Sequence, residues 1–322
     1  MAWMIAGGAG YIGSHVVRAF QEVGIEPIVY DNLSTGRESF LPEGVTFVKG
    51  DIKDSALVEK TLREHKCEGV VCLAGYKYAG ESVKYPLLTY DQNVTGIVAM
   101  LEAMQRAGVN NYVFSSSAAV YGTPDVDLVT EDSPTNPESP YGETKLIGEW
   151  LAANVAKTNP DWRYVNLRYF NVVGSGSDQV YDASPYSLFS ITFNRLLDNK
   201  VPTIFGDDYP TEDGTCIRDY IHVSDLAHSH VAAAVAMNEG RDLETVYNLG
   251  SGNGSSVAEI MDEISTGTGI DFKAEITPRR PGDPARIVAN GDKAARDLEW
   301  KMRHTLNDMV VSAWRARQAN AE

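Results

Sequence analysis

The chain has 322 residues and a mass of 35.2 kDa, enough for one large domain or two moderate ones. Its 43% hydrophobic and 22% charged residues exclude disorder and a coiled coil. Against 44 Asp and Glu stand only 28 Lys and Arg, a formal charge of −16 that sets the surface against nucleic acid and anionic lipid. An anionic small substrate remains allowed where a few local arginines meet it. No run approaches 18 consecutive apolar residues, and the opening Met-Ala-Trp-Met-Ile-Ala-Gly-Gly has no basic leader, so neither a membrane span nor a signal peptide is expected. Three cysteines (Cys67, Cys72 and Cys216) lack metal-like spacing and imply free thiols in a reducing, cytoplasmic setting.

Short β-branched runs at 3–6, 26–30, 45–48, 69–73, 111–115 and 163–168 are predicted strands. Between them fall predicted helices near 11–23, 54–65, 93–108 and 141–158. In the third, Val94, Ile97, Val98, Leu101 and Met104 recur at three- and four-residue spacing. Alternating β and α with nearly continuous apolar strands predicts an α/β, doubly wound parallel sheet of the Rossmann type over residues 1–172. After about 172 the pattern becomes polar and irregular through 173–187, and 206–215 hold Asp, Glu, Gly and Pro. A second, smaller mixed α/β substrate domain is therefore expected over 173–322, with some segments returning to the first domain. His228 and His230, two apart on a predicted helix, fall on different faces and suggest no metal site.

Gly7, Gly10 and Gly13 follow the first strand and open the first helix. That spacing lets backbone amides at a helix N-terminus approach a pyrophosphate without Cβ interference. A glycine triplet alone also reads as a tight turn, but Asp31 ends the second strand 18 residues beyond Gly13. A carboxylate there can accept both hydroxyls of an adenine ribose and repels a 2′-phosphate, which favours NAD over NADP. Asp51 and Ile52, at the end of the third strand, are placed to reach the adenine edge. Tyr141 and Lys145, the one Tyr-x-x-x-Lys pair in the chain, lie one helical turn apart on one face. Ionising a tyrosine at neutral pH requires lowering its pKa by about three units, and a neighbouring Lys⁺ together with a nicotinamide cation could do so. Ser115, Ser116 and Ser117 end the preceding strand, where a hydroxyl could meet the reacting oxygen or simply close a turn.

These segments resemble the extended short-chain dehydrogenase/reductases, and closely the UDP-glucose 4-epimerase family among them. The resemblance rests on Gly-Gly-Ala-Gly-Tyr-Ile-Gly-Ser-His at 7–15, Tyr-Asp-Asn-Leu-Ser at 30–34, Gly-Asp-Ile at 50–52 and Ala-Gly-Tyr-Lys at 74–77 with Gly-Glu-Ser at 80–82. It continues through Ser-Ser-Ser-Ala-Ala-Val-Tyr-Gly at 115–122, Ser-Pro-Tyr-Gly-Glu-Thr-Lys at 139–145 and Leu-Arg-Tyr-Phe-Asn at 167–171. Its most specific run is 204–223, followed by Tyr-Asn-Leu-Gly at 247–250 and Pro-Arg-Arg-Pro-Gly-Asp at 278–283, so it spans almost the whole chain.

The resemblance implies Tyr141 as the base, Lys145 as its pKa modulator and ribose ligand, and Ser117 as the hydroxyl near the sugar O4. It implies a cofactor lining of Tyr11, Ile12, Asp31, Asn32, Asp51, Ile52, Leu73, Ala74, Lys77, Gln92 and Phe170, joining the three glycines. Asn171, Phe205, Arg218, Arg280 and Asp283 would hold the UDP-sugar, with Ile287 beside the hexose C2 substituent. Isoleucine is shorter than the tyrosine found there in some relatives but stiff at Cβ, so hexoses are expected to fit best. A homodimer through the helices near 93–108 and 141–158 is implied as well.

Three positions depart from the family pattern: Ala6 replaces a usual Thr, Gln92 replaces Asn, and 174–187 lacks the usual Asn or His, with Ser187 near that place. The implied reaction is reversible inversion at C4 of a UDP-hexose with resident NAD. Rivals are a UDP-N-acetylhexosamine or UDP-pentose 4-epimerase, a nucleotide-sugar dehydratase or decarboxylase, and a non-catalytic NAD-binding regulator. Dehydratases follow the active-site Ser or Thr with an acidic residue, whereas Ala118 and Ala119 follow Ser117 here.

Overall fold

A computed structural model describes residues 1–280 and 283–321. The strands are β1 (Ala2–Ala6), β2 (Glu26–Asp31), β3 (Thr46–Lys49), β4 (Cys67–Cys72), β5 (Asn111–Ser117), β6 (Arg163–Tyr169), β7 (Asn171–Val173), β8 (Thr203–Phe205), β9 (Ile217–Arg218), β10 (Tyr220–His222), β11 (Val246–Leu249), β12 (Ser255–Ser256), β13 (Glu275–Thr277) and β14 (Arg286–Ile287). The helices are α1 (Tyr11–Glu22), α2 (Ser55–Glu64), α3 (Ala79–Lys84), α4 (Pro86–Tyr90), α5 (Gly96–Ala107), α6 (Pro140–Thr158), α7 (Leu188–Leu197), α8 (Val223–Asn238), α9 (Val257–Thr268), α10 (Asp292–Asp297) and α11 (Leu306–Ala319).

Seven strands form one all-parallel sheet in the order β11-β6-β5-β4-β1-β2-β3. Alternate residues of each strand serve opposite faces. Trp3 and Ile5 pack with Val16, Val17 and Phe20 of α1 and with Leu226 and Val231 of α8. Met4 and Ala6 pack on the other face with Leu62 of α2 and with Ile97, Met100 and Met104 of α5. Such fully buried side chains each stabilise the fold by roughly 1.5–3 kcal/mol. The sheet is thus covered on both faces, as its apolar strands require.

The six predicted strands and four predicted helices all appear, with ends shifted by a few residues. The helix expected from 93 instead starts at Gly96, after a π-helical turn at Asp91–Thr95. The buried Asn93 side chain within that turn holds Tyr76 N at 2.6 Å and Thr144 Oγ1 at 2.8 Å. After β6 the chain leaves the sheet to build a second apolar cluster around Phe189, Phe193, Ile260, Ile264, Val310 and Trp314. It returns in α8, which packs on α1, and in β11, which completes the sheet edge beside β6. His228, half-exposed, faces Glu22 at 3.3 Å, while His230 is fully buried, so the two histidines do lie on different faces of α8. None of the helices among the described residues is long and apolar enough to cross a membrane.

Candidate active site

The C-terminal ends of β1, β2, β4, β5 and β6 open onto one cavity of about 1550 Å³, where a doubly wound sheet places its ligands. At one end the β1–α1 turn is wound tightly: Gly10 N donates to Gly7 O at 3.1 Å and Gly7 N to Tyr30 O at 2.8 Å. Gly7 has φ +83°, and a Cβ on it would lie 2.7 Å from Ala74 N. A Cβ on Gly13 would lie 2.1 Å from Gly7 O. The cradle therefore exists only with glycine at both positions, and it fits a dinucleotide pyrophosphate lying on the α1 N-terminus. Asp31, buried at the end of β2, accepts Ala9 N at 3.0 Å and Leu33 N at 2.8 Å. Burial raises its pKa and those two amides oppose the rise. Asn32 Nδ2 donates to Asp51 Oδ2 at 3.0 Å, joining the ends of β2 and β3.

Midway along the cavity stands the face of α6 that carries Tyr141 and Lys145. Ser139 caps this helix by accepting Gly142 N at 3.2 Å, and Pro140 occupies its first turn. Tyr141 N is held by Ser82 Oγ at 3.1 Å. The Lys145 ammonium is buried 5.8 Å from the Tyr141 ring centroid and donates to Ser115 O at 2.7 Å. Burial pushes Lys145 down to about 8, and among the described residues no carboxylate is paired with it. Tyr141 is raised by burial, and a hydrogen bond with Ser117 pulls the other way. The lowering expected from Lys145 does not arise from the chain's own groups, because the ammonium is directed at a backbone carbonyl and the phenol is desolvated.

At the far end, β9 presents Arg218, whose Nη2 lies 3.6 Å from Asp283 Oδ1, and Arg280 stacks 3.9 Å over the Phe205 ring. Asn171 sits on β7 opposite Tyr220 of β10. Of the residues anticipated from sequence, Gly7, Gly10, Tyr11, Ile12, Gly13, Asp31, Asn32, Asp51, Ile52, Leu73, Ala74, Lys77, Gln92, Tyr141, Lys145, Phe170, Asn171, Phe205, Arg218, Arg280 and Asp283 line this cavity. Two stand behind its wall. Ser117 meets Tyr141 from the end of β5. Ile287 pairs with Arg218 across β14 and β9 and packs with Phe170 and Ala118.

Several wall residues were not anticipated. Arg37, Tyr78, Tyr181, Asp182, Tyr186 and Arg317 come from loops and a C-terminal helix that carry no motif, and Tyr76 lies inside the Ala-Gly-Tyr-Lys motif without having been singled out. Asp219, fully buried, accepts Ser251 N at 2.6 Å, Ser251 Oγ at 2.6 Å, Gly252 N at 3.2 Å and Ala289 N at 3.0 Å, which fixes the strand junction beside Arg218. The Arg-Asp pair in the 204–223 run was the available signal for it. Ser187, in the segment that departs from the family pattern, caps α7 by accepting Ser190 N at 3.3 Å.

The model of the NAD dependent epimerase/dehydratase family matches residues 3–250. The chain is 42% identical to a UDP-glucose 4-epimerase of Lactobacillus helveticus over 320 residues, 98% of this chain and 96% of the relative. It is similar in structure to the UDP-glucose 4-epimerase of Stenotrophomonas maltophila solved with NAD and formylated UDP-arabinopyranose, with TM-score 0.95, 39% identity and coverage of 99% and 98%. It also resembles the Bifidobacterium longum enzyme in complex with NAD⁺ and UDP, with TM-score 0.90, 35% identity and 99% of each chain covered.

Proposed function

Because the chain belongs to the NAD dependent epimerase/dehydratase family, we propose that it is a UDP-glucose 4-epimerase, interconverting UDP-glucose and UDP-galactose with tightly bound NAD. The observation that carries this reading is that Tyr141 and Lys145 stand midway in one cavity, with Ser117 behind them, between the glycine cradle and the arginines. Gly7, Gly10 and Gly13 would hold the pyrophosphate of NAD and Asp31 its adenosine ribose, while Lys145 would face the nicotinamide ribose. When bound, NAD supplies a reversible hydride acceptor at C4 of the sugar.

The chain's own residues do the rest. Tyr141 takes the proton from the C4 hydroxyl and later returns it, a general-base role that contributes typically 10²–10⁴-fold. Ser117 hydrogen-bonds the reacting oxygen and, through its bond with Tyr141, offsets part of the burial that raises the phenol. Arg218 and Arg280 grip the diphosphate, so the 4-keto sugar turns over while its nucleotide stays anchored. The dehydratase reading lacks its acid: Ala118 begins a 3₁₀ turn and packs among Val120, Tyr121 and Phe170.

The same reading includes a division near residue 172, a cytoplasmic enzyme, and a homodimer through α5 and α6. The dimer is supported by the exposed apolar Val98 and Trp150 on those helices. A panel of UDP-hexoses, UDP-N-acetylhexosamines and UDP-pentoses tests the substrate. UDP-galactose should be converted to UDP-glucose without added cofactor, with the N-acetylated sugars slower. Turnover confined to N-acetylated sugars or pentoses would replace the hexose assignment, and no turnover at all would leave the regulator.

A further inference from the structure

Residues 174–187 lie between β7 and α7 without regular secondary structure, yet they are tied down twice. At the base one tie is buried and the other half-buried. Tyr11 hydroxyl donates to Gly174 O at 2.6 Å, and Gly176 N donates to His15 Nε2 at 2.9 Å. Further along, Tyr181 of the segment meets the loop after β2 and α11. Arg37 Nη1 donates to Tyr181 hydroxyl at 2.7 Å with its guanidinium 5.2 Å from the ring centroid, and Arg317 of α11 stands 5.7 Å from the same centroid. Phe40 meets the Tyr181 ring edge-on at 5.5 Å. The neighbouring Asp182 lies 3.8 Å from Lys77 Nζ.

Arg37, Tyr181 and Arg317 all line the cavity, and their place along it is defined. Arg37 N donates to Ala9 O at 2.9 Å, and Ala9 N is bound by Asp31, so the contact sits over the adenosine end. These outer contacts differ in kind from the base. Apart from the buried Phe40 ring they are exposed or half-exposed, and they are held by a guanidinium against an aromatic ring, which is a modest attraction in water. They can therefore break while the ties at the base hold.

We infer that Tyr181, gripped by Arg37 and Arg317, is a clasp that keeps NAD resident, an inference that rests on the proposed occupancy of this cavity by NAD. The contact ties two lining segments, the one after β2 and the one after β7, to each other at the adenosine end of the cavity, so its opening eases release. Tyr181 is in this sense a positioning residue, acting on the lifetime of the bound cofactor and not on the chemistry at C4.

The test is exchange of bound labelled NAD against excess unlabelled NAD in the full-length protein. Arg37→Ala and Tyr181→Ala should speed exchange about tenfold or more, the scale expected when a charge-assisted hydrogen bond and two cation–π contacts are lost. Tyr181→Phe keeps the ring and should speed it less, and Lys60→Ala on the exposed face of α2 should leave it unchanged. Arg37→Ala removes an exposed side chain and reports even if Tyr181→Ala fails to fold. Wild-type exchange rates in both Ala variants, with UDP-galactose turnover intact, would overturn the clasp and leave the proposed function standing. A wild type that carries no dinucleotide and takes up none would overturn both.

Discussion

Replacing Arg168 by Met should destabilise the protein by about 3–5 kcal/mol, the usual cost of leaving one partner of a buried ion pair alone. Arg168 Nε donates to Glu149 Oε1 at 2.8 Å and Nη2 to Glu149 Oε2 at 2.6 Å, and both side chains are only 6% exposed. Its Nη1 also donates to Tyr121 hydroxyl at 2.9 Å, and that hydroxyl donates to Asn248 Oδ1 at 2.7 Å. Without the guanidinium, the Glu149 carboxylate keeps only the Ser116 hydroxyl. The position matters because Glu149 is one turn beyond Lys145 on α6 and Ser116 adjoins Ser117 on β5. Glu149→Leu should cost a similar amount, since it strands the guanidinium instead. The double variant Glu149→Leu/Arg168→Met removes both charges and should be less damaged than the sum of the singles by roughly 3 kcal/mol or more. Chemical unfolding followed by tryptophan fluorescence, at fixed NAD because a bound ligand adds to stability, measures all four proteins. Singles within about 1 kcal/mol of wild type, or strictly additive costs, would show that the buried pair does not stabilise the fold in this way.

Either Arg218→Ala or Arg280→Ala should raise KM for UDP-galactose strongly, because each charge-assisted hydrogen bond to a diphosphate contributes roughly 1.5–3 kcal/mol; an unchanged KM in both removes them from the site. The buried Asp31 carboxylate should make NADP bind roughly 100-fold more weakly than NAD, by repulsion of its 2′-phosphate, and equal affinities in a titration would end that assignment. His15, His222 and His230 are held down at about 4 by burial, below the ordinary value of 6.5 for the unfolded chain. Between pH 6.5 and 4 the unfolded chain binds more protons than the folded one. Stability should therefore be full above that window and fall as pH drops through it, by up to about 1.4 kcal/mol per pH unit for each histidine. Unfolding midpoints that do not move between pH 7 and 5 would contradict this.

The sheet was legible because its strands are apolar on both faces and its helices repeat at 3.6 residues. Trp3 to Ala6 and Ile97 to Met104 announce their elements without help from the rest of the chain. The glycine cradle was legible for a different reason: a backbone that admits no Cβ leaves glycine as its only spelling. What the sequence hid depends on contacts between distant residues. Nothing local marks 246–249 as the seventh strand, because its place is fixed by pairing with β6. Tyr181 reads as an ordinary loop residue until Arg37 and Arg317, 144 and 136 positions away, are seen on its ring. The electrostatics of Tyr141 were legible only in part, since spacing reports that Lys145 is near but not that Ser115 O takes its ammonium.

The assignment of Tyr141 as the proton acceptor of a 4-epimerase is tested by comparing wild type with Tyr141→Phe on UDP-galactose. That variant keeps the ring, the α6 backbone and the arginines, and removes only the hydroxyl. The variant should show kcat lower by at least about 100-fold with UDP binding and bound NAD retained. Turnover near the wild-type rate would contradict the assignment.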